Sequence, residues 1–287
     1  MNNYKFEYTN NQDQYFNYCL WPYIPVSAVE NKFRSVNLLL NSFEVAELPN
    51  KALNVVASIR KNIGIFRTVW GIKWLQNKLA WEFYFYDYQR WERDVSMTKV
   101  FQAIKPYINC EINAKDEIPY FMFSIDIDKQ ILANSKLEKI NMYIGNPGSN
   151  VSSGISYSVG VNQTQLENFY FFFDAKKQLE DAAAKIACSA YLDGRAIDIN
   201  KILLPEFREC KTICVANKRN HDTIYFSEVN VEQLLLFLQK FHYPLEIINF
   251  VKSNKTLLDH MLYDIGFDYK IQDEDLIIIK SGYYGIF

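Results

Sequence analysis

Gly64-Ile-Phe-Arg-Thr-Val-Trp-Gly-Ile-Lys-Trp-Leu-Gln-Asn-Lys-Leu-Ala-Trp-Glu-Phe-Tyr-Phe-Tyr-Asp-Tyr88 decides the reading of the chain. It reads as two long strands joined at a polar tip, Gln76-Asn77-Lys78. Its second half alternates with a period of two. Glu82, Tyr84, Tyr86 and Tyr88 take one side, and Trp81, Phe83 and Phe85 the other, with Asp87 ending the run. A half-buried strand ordinarily turns solvated residues outward. One carboxylate among phenols makes a poor outer surface and a suitable lining for a wet cavity. The first half sets Arg67 and Lys73 against Phe66, Trp70, Ile72 and Trp74.

The unit recurs. Tyr120 to Asp128 alternates, and Lys139, Asn141 and Tyr143 oppose Ile140, Met142 and Ile144. A break at Asn146-Pro-Gly-Ser-Asn150 precedes a third pair, Ile155 to Gly160 and Asn168 to Phe173. A fourth pair, Thr212 to Lys218 and Thr223 to Val229, turns at Arg219 to Asp222. A fifth runs from Phe267 to Ile271 and from Leu276 onward, turning at Asp273-Glu274-Asp275. Helical spacing falls between most pairs. Ser27-Ala-Val-Glu30 reads as a capping box before Val29, Phe33, Val36, Leu40 and Phe43. A second helix is expected over 50–62. Arg90 to Asp94 is a charged break before a helix capped by Asp94 or Ser96. Asp174 caps a helix ending at Asp193-Gly194. Asn230 caps another, and Pro244 starts helix that stops at Gly266. Residues 1–25 read as an irregular arm.

Paired strands between helices exclude βαβ alternation and a parallel sheet. An antiparallel sheet of about ten strands curls and closes, which removes its edges. The expected fold is therefore α+β: a single domain over 1–287, a closed antiparallel barrel of about ten strands surrounded by helices. Composition agrees. The chain has 287 residues, 49% hydrophobic and 22% charged, with 20 Tyr and 21 Phe. A net charge of -2 argues against a general nucleic-acid or membrane-surface binder. The N-terminus lacks a signal-peptide pattern, and no apolar run approaches the roughly 20 residues that span a bilayer. Five cysteines without a CxxC pair read as reduced, placing the protein in the cytoplasm.

A ten-strand antiparallel barrel inside repeated helix–strand–strand–helix units resembles the ABBA fold, the PT-barrel of aromatic prenyltransferases. The cyanobactin type is closest. Ala216-Asn-Lys-Arg-Asn220 before Thr223-Ile-Tyr-Phe226 is similar to that family's late hairpin turn, and Ile265-Gly-Phe-Asp-Tyr269 has its character. Indole-type members carry Lys-x-Tyr where this chain has Lys139-Ile-Asn-Met-Tyr143. No helix reads between the second and third strand pairs, which departs from the repeat. The resemblance implies that an allylic diphosphate, dimethylallyl or geranyl, alkylates an aromatic or peptide acceptor inside the barrel.

That chemistry needs cations converging on the leaving group, for which Arg67, Lys73, Lys139, Lys218 and Lys280 are the candidates. It needs aromatic faces or polar positioning around the allylic cation: Tyr84, Tyr86, Asn141, Tyr143, Tyr225 and Tyr284. Glu82, its pKa raised by burial, is the expected base. Asp126 and Asp128 are candidate carboxylates for Mg²⁺. Two other functions fit the same features. One is a non-catalytic barrel that binds a small molecule. The other is a sugar-nucleotide transferase using Asp126-Ile-Asp128 as a DxD motif.

Overall fold

In a computed structural model, residues 4–13, 23–75, 77–87, 92–146, 152–192, 198–273 and 275–286 are described. Gln76, Tyr88, Arg90, Pro147 to Asn150, Asp193-Gly194, Cys19 and Glu274 lie outside them. The chain opens with helices α1 (Val36–Val45) and α2 (Asn50–Ile63), then strands β1 (Thr68–Leu75) and β2 (Lys78–Tyr86). Helix α3 (Met97–Ile104), β3 (Asn109–Cys110), β4 (Met122–Ile127), α4 (Lys129–Asn134), β5 (Lys136–Leu137) and β6 (Lys139–Gly145) follow. Next come β7 (Ser153–Gly160), β8 (Thr164–Asp174), α5 (Leu179–Ala187), β9 (Thr212–Lys218) and β10 (Asp222–Val229). Helices α6 (Val231–Lys240), α7 (Leu245–Ser253) and α8 (Lys255–Leu258) lead to β11 (Tyr263–Gln272) and β12 (Asp275–Ile286).

Ten of these strands close into one barrel in the order β1-β12-β11-β10-β9-β8-β7-β6-β4-β2, all neighbours antiparallel. Strands β3 and β5 form a separate parallel pair. The expected fold class is therefore the observed one. Closure joins the first strand to the last, with Val69 opposite Ile286. Among the described residues, no helix is long and apolar enough to cross a membrane.

The dry core lies outside the barrel wall. Trp70 and Ile72 on β1, Trp81, Phe83 and Phe85 on β2, and Phe123 and Ile125 on β4 are all at most 1% exposed. They pack with Leu39 of α1, Ile59 of α2 and Phe237 of α6 in one cluster. Burying such a side chain contributes about 1.5–3 kcal/mol, so this outer face holds the wall. Its opposite face, by the period of two, looks into the lumen.

Several local expectations need correction. Helix α1 starts at Val36, not near Ser27. The Ser27 hydroxyl donates to Asp259 at 2.8 Å, and the Phe33 amide donates to the Leu257 carbonyl at 2.9 Å. The segment bonds to distant chain instead of coiling on itself. The second pair is strand–helix–strand, because Asp128 caps α4 between β4 and β6. Asp174 accepts from the amides of Lys176 and Lys177 in a turn, and α5 starts later, at Leu179. Gly266 does not stop a helix. Helix ends by Leu258, and Gly266 sits inside β11. Ser96 does cap α3, and Asn230 with Gln233 forms a capping box on α6. The arm is irregular but pinned: Glu7 pairs with Arg60 at 2.5 Å, and Asp13 with Arg34 at 2.8 Å.

Candidate functional site

Two cavities share the lumen. A polar chamber of about 240 Å³ opens at the barrel end formed by the β1–β2, β7–β8 and β9–β10 turns. An apolar chamber of about 100 Å³ lies toward the other end, against Val69, Phe121, Met122, Ile155 and Phe172. Tyr84, Tyr143, Tyr170, Tyr225 and Tyr284 line both, so they form the boundary.

These five tyrosines come from β2, β6, β8, β10 and β12, which are alternate strands of the barrel. Their rings run in sequence around the wall: Tyr170 to Tyr143 at 5.8 Å, Tyr143 to Tyr84 at 6.4 Å, Tyr84 to Tyr284 at 5.9 Å and Tyr284 to Tyr225 at 6.1 Å between centroids. On at least one side of each tyrosine the intervening strand opposes it with a small residue, although Val69 also faces Tyr84, Met122 faces Tyr143 and Asp264 faces Tyr284. Gly71 pairs with Tyr284, Ser124 with Tyr84, Ser156 with Tyr143, Ala216 with Tyr170, and Cys214 and Gly266 with Tyr225. The small partners leave room for the rings, which is how a small barrel fills its interior. Gly266 is the clearest case. A Cβ there would stand 2.4 Å from the Tyr225 ring and 2.7 Å from the Ile224 carbonyl oxygen. Burial first, then neighbouring phenols and carboxylates, pushes the four hydroxyls of Tyr84, Tyr143, Tyr225 and Tyr284 far above their ordinary pKa. The ring is neutral.

Two buried carboxylates organise the polar chamber. Glu82, 3% exposed, accepts from Ser124 at 2.5 Å, from Tyr84 at 2.6 Å and from Asn141 at 3.5 Å, and it is ion-paired with Lys73. Lys73 also meets Asp126 at 2.8 Å. Asp268, 2% exposed, gathers Lys218 at 3.1 Å, Lys280 at 3.2 Å, His221 at 2.7 Å and Thr223 at 2.6 Å. Burial works against the Asp268 anion, but Lys218 and Lys280 hold its carboxyl well below the usual range. Lys218 moves the other way. Burial, with the like charge of Lys280, outweighs Asp268 and lowers its ammonium to about 8.

The sequence-derived candidates divide as follows. Lys73, Lys139, Lys218 and Lys280 all line the polar chamber, with Lys139 exposed at its rim. Arg67 does not join them: it precedes β1, is exposed, and packs beside Gly64. Tyr84, Tyr143, Tyr225 and Tyr284 are in the ring, Tyr86 lines the apolar chamber, and Asn141 lines the polar one. Glu82 faces the lumen as its strand phase requires, yet its pKa is not raised. Burial pushes it up, but the Lys73 charge and the hydrogen bonds pull it down to about 2. Asp126 and Asp128 do not form one site. Asp126 pairs with Lys73, whereas Asp128 accepts from the Ile131 amide at 2.7 Å as the cap of α4. Among the described residues, no group of three or more His, Cys, Asp or Glu converges as metal ligands.

Asp268, His221, Thr223, Tyr170 and Asp264 were not among the candidates. Asp264, Gly266 and Asp268 share one phase of β11, a signal hidden by reading Gly266 as a stop. Tyr170 lies in Phe169-Tyr-Phe-Phe-Phe173, where unbroken aromatics hide the period of two. No protein-family model matches the sequence, and a search of curated proteins finds no similar one.

Proposed function

We propose that the barrel transfers a dimethylallyl group from its diphosphate to an aromatic side chain of an amino acid or peptide. The observation that carries this reading is the order of surfaces along one lumen: lysines, then a ring of neutral tyrosines, then a small apolar chamber. Lys73, Lys218 and Lys280, with Lys139 and Arg219 at the mouth, would receive the diphosphate through charge-assisted hydrogen bonds. The allylic carbon–oxygen bond breaks and its electron pair leaves with the diphosphate. The tyrosine faces then meet the cation, each contributing roughly 0.5–2 kcal/mol, and exclude water. Glu82 keeps Lys73 and Tyr84 in place.

Size supports a five-carbon donor. A cavity of roughly 150 Å³ takes a benzene, and the apolar chamber measures about 100 Å³. Mg²⁺ finds no ready carboxylate set here, because Asp128 is spent on α4 and Asp126 on Lys73.

One observation favours a second reading, a barrel that binds a neutral ligand without reaction. Five cations (Lys73, Lys139, Lys218, Arg219, Lys280) line the polar chamber with three carboxylates (Glu82, Asp126, Glu167), and Asp268 pairs with Lys218 and Lys280 behind its wall, so the charge is nearly balanced. Mass spectrometry separates the two. The protein is incubated with dimethylallyl or geranyl diphosphate and peptides bearing Trp or Tyr, with and without EDTA. A dimethylallyl-dependent mass gain on the peptide is expected. Retention of ligand with no mass gain on any acceptor supports the binding barrel instead.

A further inference from the structure

We propose that the free edge of β12, residues 275–280, accepts an extended linear peptide as an added strand, and that the groove beside it takes alternate side chains of that peptide. The inference rests on the transferase reading, and it gives a peptide acceptor a docking site outside the lumen.

Three observations carry it. First, β12 outruns its neighbour. It pairs with β1 only from Ile286, opposite Val69, to Ser281, opposite Trp74. Toward its start, residues 275–280 pair with β11 alone among the described residues. Their outer backbone groups are an open edge, the kind that takes up another strand. Second, this edge lacks the usual guards. Leu276-Ile-Ile-Ile279 is an unbroken apolar run, and Ile277 and Ile278 are 38% and 40% exposed. Edge strands are ordinarily blunted by charge or Pro, so an exposed apolar edge is a hazard unless something covers it. The register shift between Asp268 and Tyr269 leaves Ile279 without an opposite residue, a bulge that bends the strand where it departs from the wall. Third, the edge borders a groove of about 730 Å³, within the roughly 300–1,000 Å³ usual for ligand sites. Trp74, Leu204, Phe241, Phe267, Leu276 and Ile278 give it apolar walls.

Continuity with the lumen selects the occupant. Lys280 lines both the groove and the polar chamber, and Trp74 of the groove follows Lys73 of the chamber. A strand laid on this edge therefore runs past the chamber mouth. The lumen chambers, about 240 and 100 Å³, are small beside a peptide, so its flanks need surface outside the barrel. Strand addition supplies that surface: backbone hydrogen bonds give affinity, and the groove reads every second side chain. Apolar flanks suit the groove, whose Lys240 and Glu206 already pair at 2.9 Å. A second copy fits less well, because an edge this short falls far below the roughly 20–30 residues a side of a stable interface.

The test uses wild type and Ile278→Lys with a linear peptide bearing one Trp between Val-Thr repeats, the same peptide N-methylated at alternate residues, and N-acetyltryptophanamide. Binding is followed by calorimetry, amide exchange by mass spectrometry, and turnover with dimethylallyl diphosphate. The peptide should slow exchange within residues 275–280, and N-methylation should weaken its binding about 10-fold or more by blocking the ladder. Ile278→Lys should raise the peptide's KM about 10-fold, the scale of one lost anchor, with kcat and the KM of N-acetyltryptophanamide unchanged. Should that variant not fold, the N-methylated peptide decides on wild type alone. Binding of the N-methylated peptide within about threefold of its parent overturns the proposal, as does unchanged exchange at 275–280. Equal effects of Ile278→Lys on both acceptors overturn it too. A concentration-dependent dimer that protects these amides without peptide puts a second copy there and also overturns it. No product from wild type with any acceptor removes the transferase reading, and binding and exchange then decide the edge by themselves.

Discussion

Replacing Glu82 by Gln removes one charge from a buried pair and keeps the shape. The Glu82 side chain is 4% exposed and that of Lys73 is 12% exposed, so water screens the pair little. The folded protein holds the Glu82 carboxyl at about 2 against an ordinary 4.5. At about 1.4 kcal/mol per pH unit, that gap corresponds to roughly 3 kcal/mol of stability at neutral pH. Breaking a buried pair on one side typically costs about 3–5 kcal/mol. Asp126 remains beside Lys73, which argues for the lower end. We expect Glu82→Gln to lose about 3 kcal/mol in urea unfolding at pH 7, with an unchanged m-value. The sign against pH follows from the lowered pKa. The stabilisation is fully present above about pH 4.5 and is lost as pH falls toward about 2, so wild type and variant converge across that window. A Lys73→Met/Glu82→Gln double mutant should lose less than the sum of the single losses. A stability gap that does not change with pH, or no gap at pH 7, refutes the reasoning.

Other outcomes follow from the same geometry. Gly266→Ala drives a methyl group into the Tyr225 ring and the Ile224 carbonyl; overpacking of this kind costs about 1–3 kcal/mol, read as a lower midpoint in calorimetry. Lys218→Met should weaken pyrophosphate binding about 10- to 100-fold at pH 7, the scale of a hydrogen bond to a charged group. Because the Lys218 ammonium sits at about 8, wild-type affinity should fall more steeply than the variant's as pH rises through that value in titration calorimetry. Lys139 is exposed at the rim, so Lys139→Ala should cost less than about 1 kcal/mol of pyrophosphate affinity, and a larger loss would place it deeper than the geometry does.

The barrel was legible because its signal repeats. Strand phase on β2, β4 and β6 needs only the alternation of Trp81, Phe83 and Phe85, of Phe123, Ile125 and Ile127, and of Ile140 and Met142. Lys139 lies on the phase of β6, while Lys73, Lys218 and Lys280 come from β1, β9 and β12; Arg67 failed because it stands just before the strand whose phase it was given. Charge state was not legible. Whether burial raises Glu82 or Lys73 lowers it depends on a contact across the hairpin and on Ser124 two strands from β1. The same holds for Asp268, whose partners come from β9, β10 and β12. Short-range cues also misled where distant chain supplied the bond, as at Ser27 and Asp259.

A wall whose outer face carries the packing leaves its inner face open to change. At the tyrosine layer, a substitution meets one or two ring neighbours and a chamber, while Trp81, Phe83 and Phe85 stay seated against the helices. Exchanging one ring for a smaller residue would therefore widen the passage in one direction, toward whichever strand lost its phenol, without unseating the outer packing. Five such positions on alternate strands act on the same aperture, each coupled to the ring neighbours it touches. A lineage drifting through them could sample many ligand shapes while its chains kept folding.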